Sequence, residues 1–223
     1  MKLIVQLSLR NILRHKRRNL MLLAAIVVAV SFVTASNTLI RGFQANMKDA
    51  AVSNLTGHIK IHQPGYRDDP TIAKSFELAK DFQPDVPEEQ LLGWAPRIRV
   101  PAVIMSERET RGIQLVGVNP EAERISFLGT AAIAGDSLQN IDDGGVLIGA
   151  EHARQLETKV GRRLVINTQG ADGLARERGF RIVGTYDTES TALEKIYVFA
   201  GLATIQRLLD SNGVTEVSVR LQE

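Results

Sequence analysis

The chain has 223 residues, 44% of them hydrophobic and 23% charged, with a net charge of +2 and a pI near 9.0. Six Lys and Arg residues and no acidic residue lie ahead of Leu20, and the near-neutral remainder lacks the clustered basic face that a nucleic-acid footprint needs. Cysteine is absent, which excludes disulfides, thiolate metal sites and thiol nucleophiles.

Residues 1–18 form a basic segment. Leu3, Ile4, Leu7, Ile12 and Leu13 alternate with Gln6, Ser8, Arg10 and Asn11 at a spacing that gathers apolar surface on one helical face. The pattern suits a helix lying in the membrane interface and suits equally a cytoplasmic extension of the helix that follows.

Residues 19–40 read as a transmembrane helix. From Leu20 to Ile40 there is no charge and no proline, and about 21 residues at 1.5 Å each give roughly 31 Å, the thickness of a bilayer's hydrocarbon core. A cleaved secretory signal has a shorter apolar region of about 7–15 residues and a small-x-small site. Val33-Thr34-Ala35 is a poor version of that site, so the expectation is an uncleaved anchor. Arg10, Arg14, His15, Lys16, Arg17 and Arg18 precede the span with no acidic residue among them, which places the N-terminus in the cytoplasm. Residues 41–223 are then extracytoplasmic, and about 180 residues suffice for a core of their own and for two lobes.

Phe43, Met47, Ala50, Ala51 and Leu55 continue the helical period past the membrane, and Gly57 breaks it. His58-Ile59-Lys60-Ile61-His62 alternates as a strand does, with both histidines sharing a face with Lys60 that reads as solvated. Residues 64–87 carry four prolines and read as a loop with at most a short helix near 72–78. Residues 85–92, with Pro87, Glu88 and Glu89 at the front, look like a capped helix start. Strands are expected over 97–105 and 112–118, joined antiparallel by the charged turn 106–111.

A helical turn begins at Asn119-Pro120, and Gly135-Asp136 closes a loop. After the turn signal Asp142-Asp143-Gly144-Gly145, a strand over 146–148 runs through Gly149 into a helix over 150–157. Strands follow over 163–168 and 180–186, across a flexible 169–179, and then over 195–199. A helix over 202–209 and an alternating strand over 214–221 complete an α+β domain of mixed or antiparallel sheet with short helices.

Motifs that carry chemistry are missing. There is no Walker phosphate loop, no Gly-x-Ser-x-Gly, no His-Glu-x-x-His and no calcium loop. Glu151 and His152 are adjacent on a predicted helix and point different ways, Asp142-Asp143 reads as a turn, and the sequon at Asn54 stands alone. The sequence therefore offers no catalytic, cofactor-binding or metal-ligating residue, and the expectation is a protein that is not an enzyme.

The opening Leu-Ser-Leu-Arg-Asn-Ile-Leu-Arg-His-Lys-Arg-Arg-Asn, followed at once by the span, resembles the start of FtsX-like permeases of ABC transporters, the MacB and lipoprotein-releasing LolC/LolE group. Leu115-Val116-Gly117-Val118-Asn119-Pro120, Ile133-Ala134-Gly135-Asp136, Gly145-Val146-Leu147-Ile148-Gly149-Ala150-Glu151-His152-Ala153 and Val160-Gly161-Arg162-Arg163-Leu164 are similar, in order and spacing, to that family's periplasmic core domain. The resemblance implies a permease subunit in the inner (plasma) membrane that works with a cytoplasmic ABC ATPase and a further permease subunit, as homo- or heterodimer. It also implies an outer domain that relays ATPase-driven motion to a cargo, an envelope lipoprotein or a periplasmic partner. Such permeases carry three more membrane helices after the outer domain, whereas this sequence stops at Glu223, so it is expected to be the N-terminal part of one or to act with a separate partner. The alternative is a membrane-anchored extracytoplasmic interaction or regulatory module without transport.

Overall fold

A computed structural model describes residues 15–51, 55–79, 81–188 and 190–222, with the backbone alone for 43–51. The amphipathic pattern before Arg14 and the sequon at Asn54 lie outside these residues. Helix α1 spans Lys16–Ala51. Its apolar part, Lys16–Gly42, has a mean hydropathy of 2.2 and is long and apolar enough to cross a bilayer. Leu20, Ile26, Phe32 and Leu39 are each at least half exposed, as lipid-facing side chains are in an isolated chain. Thr34 and Thr38 donate their hydroxyls to the carbonyls of Val30 and Thr34, at 2.8 and 3.0 Å, so neither threonine hydroxyl is left unpaired in hydrocarbon.

The chain divides into two units, residues 1–50 and 51–223. The second is built on a 9-stranded sheet. In chain order its elements are β1 (Ile59–Ile61), β2 (Leu91–Met105), β3 (Thr110–Val118), β4 (Ala132–Gly135), β5 (Gly145–Gly149), α2 (Ala150–Gln155), β6 (Arg163–Gln169), β7 (Ala175–Asp187), α3 (Thr191–Ile196), β8 (Tyr197–Gly201), α4 (Leu202–Leu209) and β9 (Glu216–Leu221). The strand pairing closes on itself. β2 pairs with β3, β3 with β8, β8 with β5, β5 with β7, β7 with β6, and β6 again with β2. On the same side of β2 as β6, the residues from Leu91 to Arg97 pair instead with β9, whose other side carries β1.

Closure follows from the side-chain alternation. Ile104, Leu115, Ile148, Ile166, Phe180 and Val198, each at most 1% exposed, point into the ring and fill it together with Ile205 and Leu209 of α4 and Leu156 beyond α2. Val116, Val118, Leu147 and Phe199 point outward from the same strands. They meet a second apolar layer formed by Leu55, Phe127, Leu138 and Tyr186. Strand β5 is therefore buried on both faces, which accounts for its uninterrupted Gly-Val-Leu-Ile-Gly.

Several expectations need correction. The capped helix start at 85–92 yields one 3-10 turn, Glu88–Gln90, and Leu91 then enters β2 because β9 supplies it with a partner, Leu221. The segment read as flexible to Gly179 is strand from Ala175 onward, paired with β6 up to Gln169. Lys195 and Ile196 belong to α3, and β8 starts one residue later. The strand expected to begin at Val214 begins at Glu216. The face of β1 that bears Lys60 is not solvated: it packs on a buried carboxylate, while Ile59 on the opposite face is 40% exposed.

Candidate functional site

The polar feature with the deepest burial lies where the chain, having left α1, joins the sheet domain. Leu55 is 2% exposed in the outer apolar layer, and Gly57, at φ +66°, turns the chain onto β9 in a backbone conformation that glycine adopts without strain. His58 N then donates to Val219 O at 2.9 Å, and Ser218 Oγ donates to Thr56 O at 3.0 Å. Arg97 of β2 holds the same segment from the side, its Nη1 donating to the carbonyl of Leu55.

Arg97 is 1% exposed, and its remaining donors are taken by Glu123, also 1% exposed. Nε donates to Oε1 at 2.5 Å and Nη2 to Oε2 at 2.9 Å, a two-pronged pair. Ser126 Oγ adds a bond to Glu123 Oε2 at 2.6 Å. Beside this pair, the β2–β9 register sets Glu216 opposite Arg97. The Glu216 carboxylate is 1% exposed and meets Lys60 Nζ at 3.1 Å, Arg99 Nη2 at 3.1 Å and Arg97 Nη1 at 3.8 Å. Lys60, Arg97 and Arg99 thus share two carboxylates. Burial holds the Lys60 ammonium below its ordinary value, and Glu216 opposes that shift. Arg99 also stacks over Tyr197, 5.4 Å from the ring centre, and its carbonyl accepts the Tyr66 hydroxyl at 2.6 Å.

A second polar knot ties the Gly149 turn to α3. Glu194, 3% exposed, accepts from Glu151 N at 3.0 Å and from Thr188 N at 2.9 Å, so a carboxylate caps the start of α2. His152 is 1% exposed and its Nδ1 donates to Lys195 O at 2.8 Å, which leaves Nε2 as a buried acceptor with no partner among the described residues. Burial, assisted by the charge of Arg111, holds the imidazole below its ordinary value. Glu151 turns away from it to Arg154, at 2.7 Å, and Lys195, at 3.6 Å.

The other residues singled out in the sequence have structural partners. Asp142 pairs with Arg207 at 2.6 Å, and Asp143 caps Gly145 N at 2.8 Å. Nδ1 of His58 accepts from Leu221 N at 3.1 Å, and His62 contacts the neighbouring Gln63 carbonyl. Among the described residues no group of three or more histidines, aspartates or glutamates is placed to hold a metal ion. Sequence reading missed the cluster around Arg97. Its trace is the presence of charge at alternate positions of two otherwise apolar strands, Arg97 and Arg99 in β2 and Glu216 in β9, which acquires meaning only once those strands pair.

The MacB-like periplasmic core domain family matches residues 20–223. The crystal structure of the periplasmic region of MacB from Actinobacillus actinomycetemcomitans is similar with a TM-score of 0.51 and 10% identity, over 74% of this chain and 73% of that one. The extracellular domain of the noncanonic ABC-type transporter YknZ from Gram-positive bacteria is similar with a TM-score of 0.50 and 14% identity, over 74% of this chain and 82% of that one. At such identities these two structures speak for the fold. No curated protein matches the sequence. The family match over nearly the whole chain carries the identification: this chain belongs to the MacB-like periplasmic core domain family, with the sheet domain of an ABC transporter permease behind an apolar helix.

Proposed function

We propose that the chain is a permease subunit, or the N-terminal part of one, that relays motion driven by a cytoplasmic ABC ATPase to the extracytoplasmic side. The cargo class is a lipoprotein or another hydrophobic or peptide molecule, and the work of the outer domain is mechanical. The N-terminus faces the cytoplasm, by the basic residues ahead of the span. The observation that carries the proposal is the helix Lys16–Ala51, which runs unbroken past Gly42 beyond its membrane-length apolar part. A continuous helix transmits displacement, whereas a flexible linker absorbs it. Four residues past its end the chain is held by the buried Arg97, so a displacement delivered there reaches β2 directly.

The test is to insert a short Gly-Ser linker after Arg41 in the full-length transporter and to measure cargo release beside ATP hydrolysis. Release is expected to fall with hydrolysis retained. Undiminished release rules the relay out.

A further inference from the structure

The outward side of the strand ring is covered unevenly. Around β8 and β5 it lies beneath Leu55, Phe127 and Leu138. Around β3, β2, β6 and β7 the alternation that points Ile104, Ile113, Ile166 and Phe180 inward points a different set outward. One row across these strands reads Gly112, Val103, Asn167, Glu177, and the next reads Thr110, Met105, Val165, Gly179. A Cβ added at Gly112 or at Gly179 meets nothing within 4 Å, and Val103 is 40% exposed. The face is bare and carries Val103, Met105 and Val165 at its centre, with the polar Thr110, Asn167 and Glu177 around them.

Its lower border carries a feature that the fold does not need. Arg163 of β6 lies directly opposite Arg181 of β7, on the outward side. Like charges in that position destabilise a strand pair. The nearby carboxylates are engaged elsewhere: Glu157 with Arg108 at 2.5 Å and Glu107 with Arg162 at 4.0 Å. Arg181 donates Nε to Gly161 O at 3.2 Å, and among the described residues neither it nor Arg163 forms an ion pair.

We infer that this face of β3, β2, β6 and β7 is a docking surface for an acidic, extended segment of an extracytoplasmic partner protein. Carboxylates of the partner bridge the Arg163 and Arg181 pair, and its small apolar side chains lie over Val103, Val165 and the floor left open by Gly112 and Gly179. Charge complementarity selects this occupant, since the border offers two cations without carboxylates of their own. The bare apolar centre beside them asks for more than a single anion. The assignment stands apart from the relay and does not depend on it.

The probe is a fluorescein-labelled peptide of alternating valine and glutamate, titrated at low ionic strength against the full chain in detergent and read by anisotropy. Saturable binding is expected, weakened about tenfold by R163Q/R181Q, as two exposed ion pairs at the strong end of their range would give. The substitution Gly179→Tyr covers the bare centre, keeps both arginines and is expected to weaken binding at least as much. Both sites are on the surface, and unchanged thermal melting of the variants confirms that the fold persists. The inference is overturned if the wild type does not bind, if a valine and glutamine peptide binds as well, or if R163Q/R181Q binds like wild type. An effect of the arginines without an effect of Gly179→Tyr reduces the site to a simple anion site and overturns it too. So does preferential binding to phosphatidylglycerol vesicles, or self-association of the chain that R163Q/R181Q abolishes.

Discussion

Replacing Arg97 by methionine keeps most of the side-chain volume and removes the charge. Glu123, 1% exposed, then retains only the Ser126 hydroxyl at 2.6 Å, and the Leu55 carbonyl loses the guanidinium that holds it. Removing one partner of a buried ion pair costs about 3–5 kcal/mol, since the other charge stays buried without compensation. For a domain of this size that corresponds to a fall of roughly 6–20 °C in Tm. Glu216 loses its weakest partner, at 3.8 Å, and keeps Lys60 and Arg99 at 3.1 Å, so it adds little. The assay is equilibrium unfolding followed by fluorescence of Trp94, the single tryptophan, which packs against the core and edge-on to Phe82 at 5.3 Å. The paired change R97M/E123M removes both charges and leaves mainly the Leu55 carbonyl unsatisfied, at about 1–3 kcal/mol. It is therefore expected to be more stable than R97M alone. A loss below about 1 kcal/mol for R97M, or losses that simply add in the double variant, refutes the reasoning.

His152 makes stability depend on pH. Its folded-state value lies below the unfolded one, so as pH falls under about 6.5 the unfolded chain takes a proton that the folded chain refuses, and stability drops. Urea titrations from pH 8 to pH 5 are expected to show this slope, and H152N, which still has a donor for the Lys195 carbonyl, is expected to flatten it. Gly149→Ala places a Cβ 2.2 Å from the Glu194 carbonyl oxygen and is expected to cost about 3 kcal/mol, whereas Gly144→Ala, with nothing within 4 Å, is near neutral by the same assay. Because the chain has no cysteine, topology is open to single-cysteine labelling. A membrane-impermeant maleimide should label Leu174→Cys, at a position 62% exposed, and not Lys2→Cys in intact cells, and the reverse pattern inverts the topology.

What the sequence made legible is what is encoded locally. The helix Leu202–Leu209 was readable to the residue because its apolar positions and its boundaries lie within one short window. The strand expected over 146–148 and the helix expected over 150–157 are readable, to within a residue or two at each end, because a short apolar run, Gly149 and a helix-forming stretch follow one another within one window. Where pairing is distant, local signals misled. Pro87, Glu88 and Glu89 do start a helical turn, but Leu91 gains a strand partner 130 residues away, and that wins. Arg176, Glu177 and Arg178 lack any apolar alternation and looked like a loop, yet β6 pairs with them in register. Lys60 looked solvated for the same reason: Glu216, the residue that makes its burial tolerable, lies in the last strand.

The closed ring bears on how the proposed relay would work. β2 is 15 residues long and belongs to two assemblies at once, pairing with β9 through its first half and with β6 through its second, and with β3 over its latter nine residues. Arg97 sits where β2 leaves β9 and first meets β3, and it is this residue that holds Leu55. Ile98, Val100, Ala102 and Ile104 all face the core, so a slip of β2 by a single residue would turn every one of them outward. Over Ala102–Met105, strand closure also leaves β2 no free side along which to slide. A push at Leu55 would therefore meet a strand that has no neighbouring register to fall into, and the proposed relay would move the whole ring, not change the shape of the sheet.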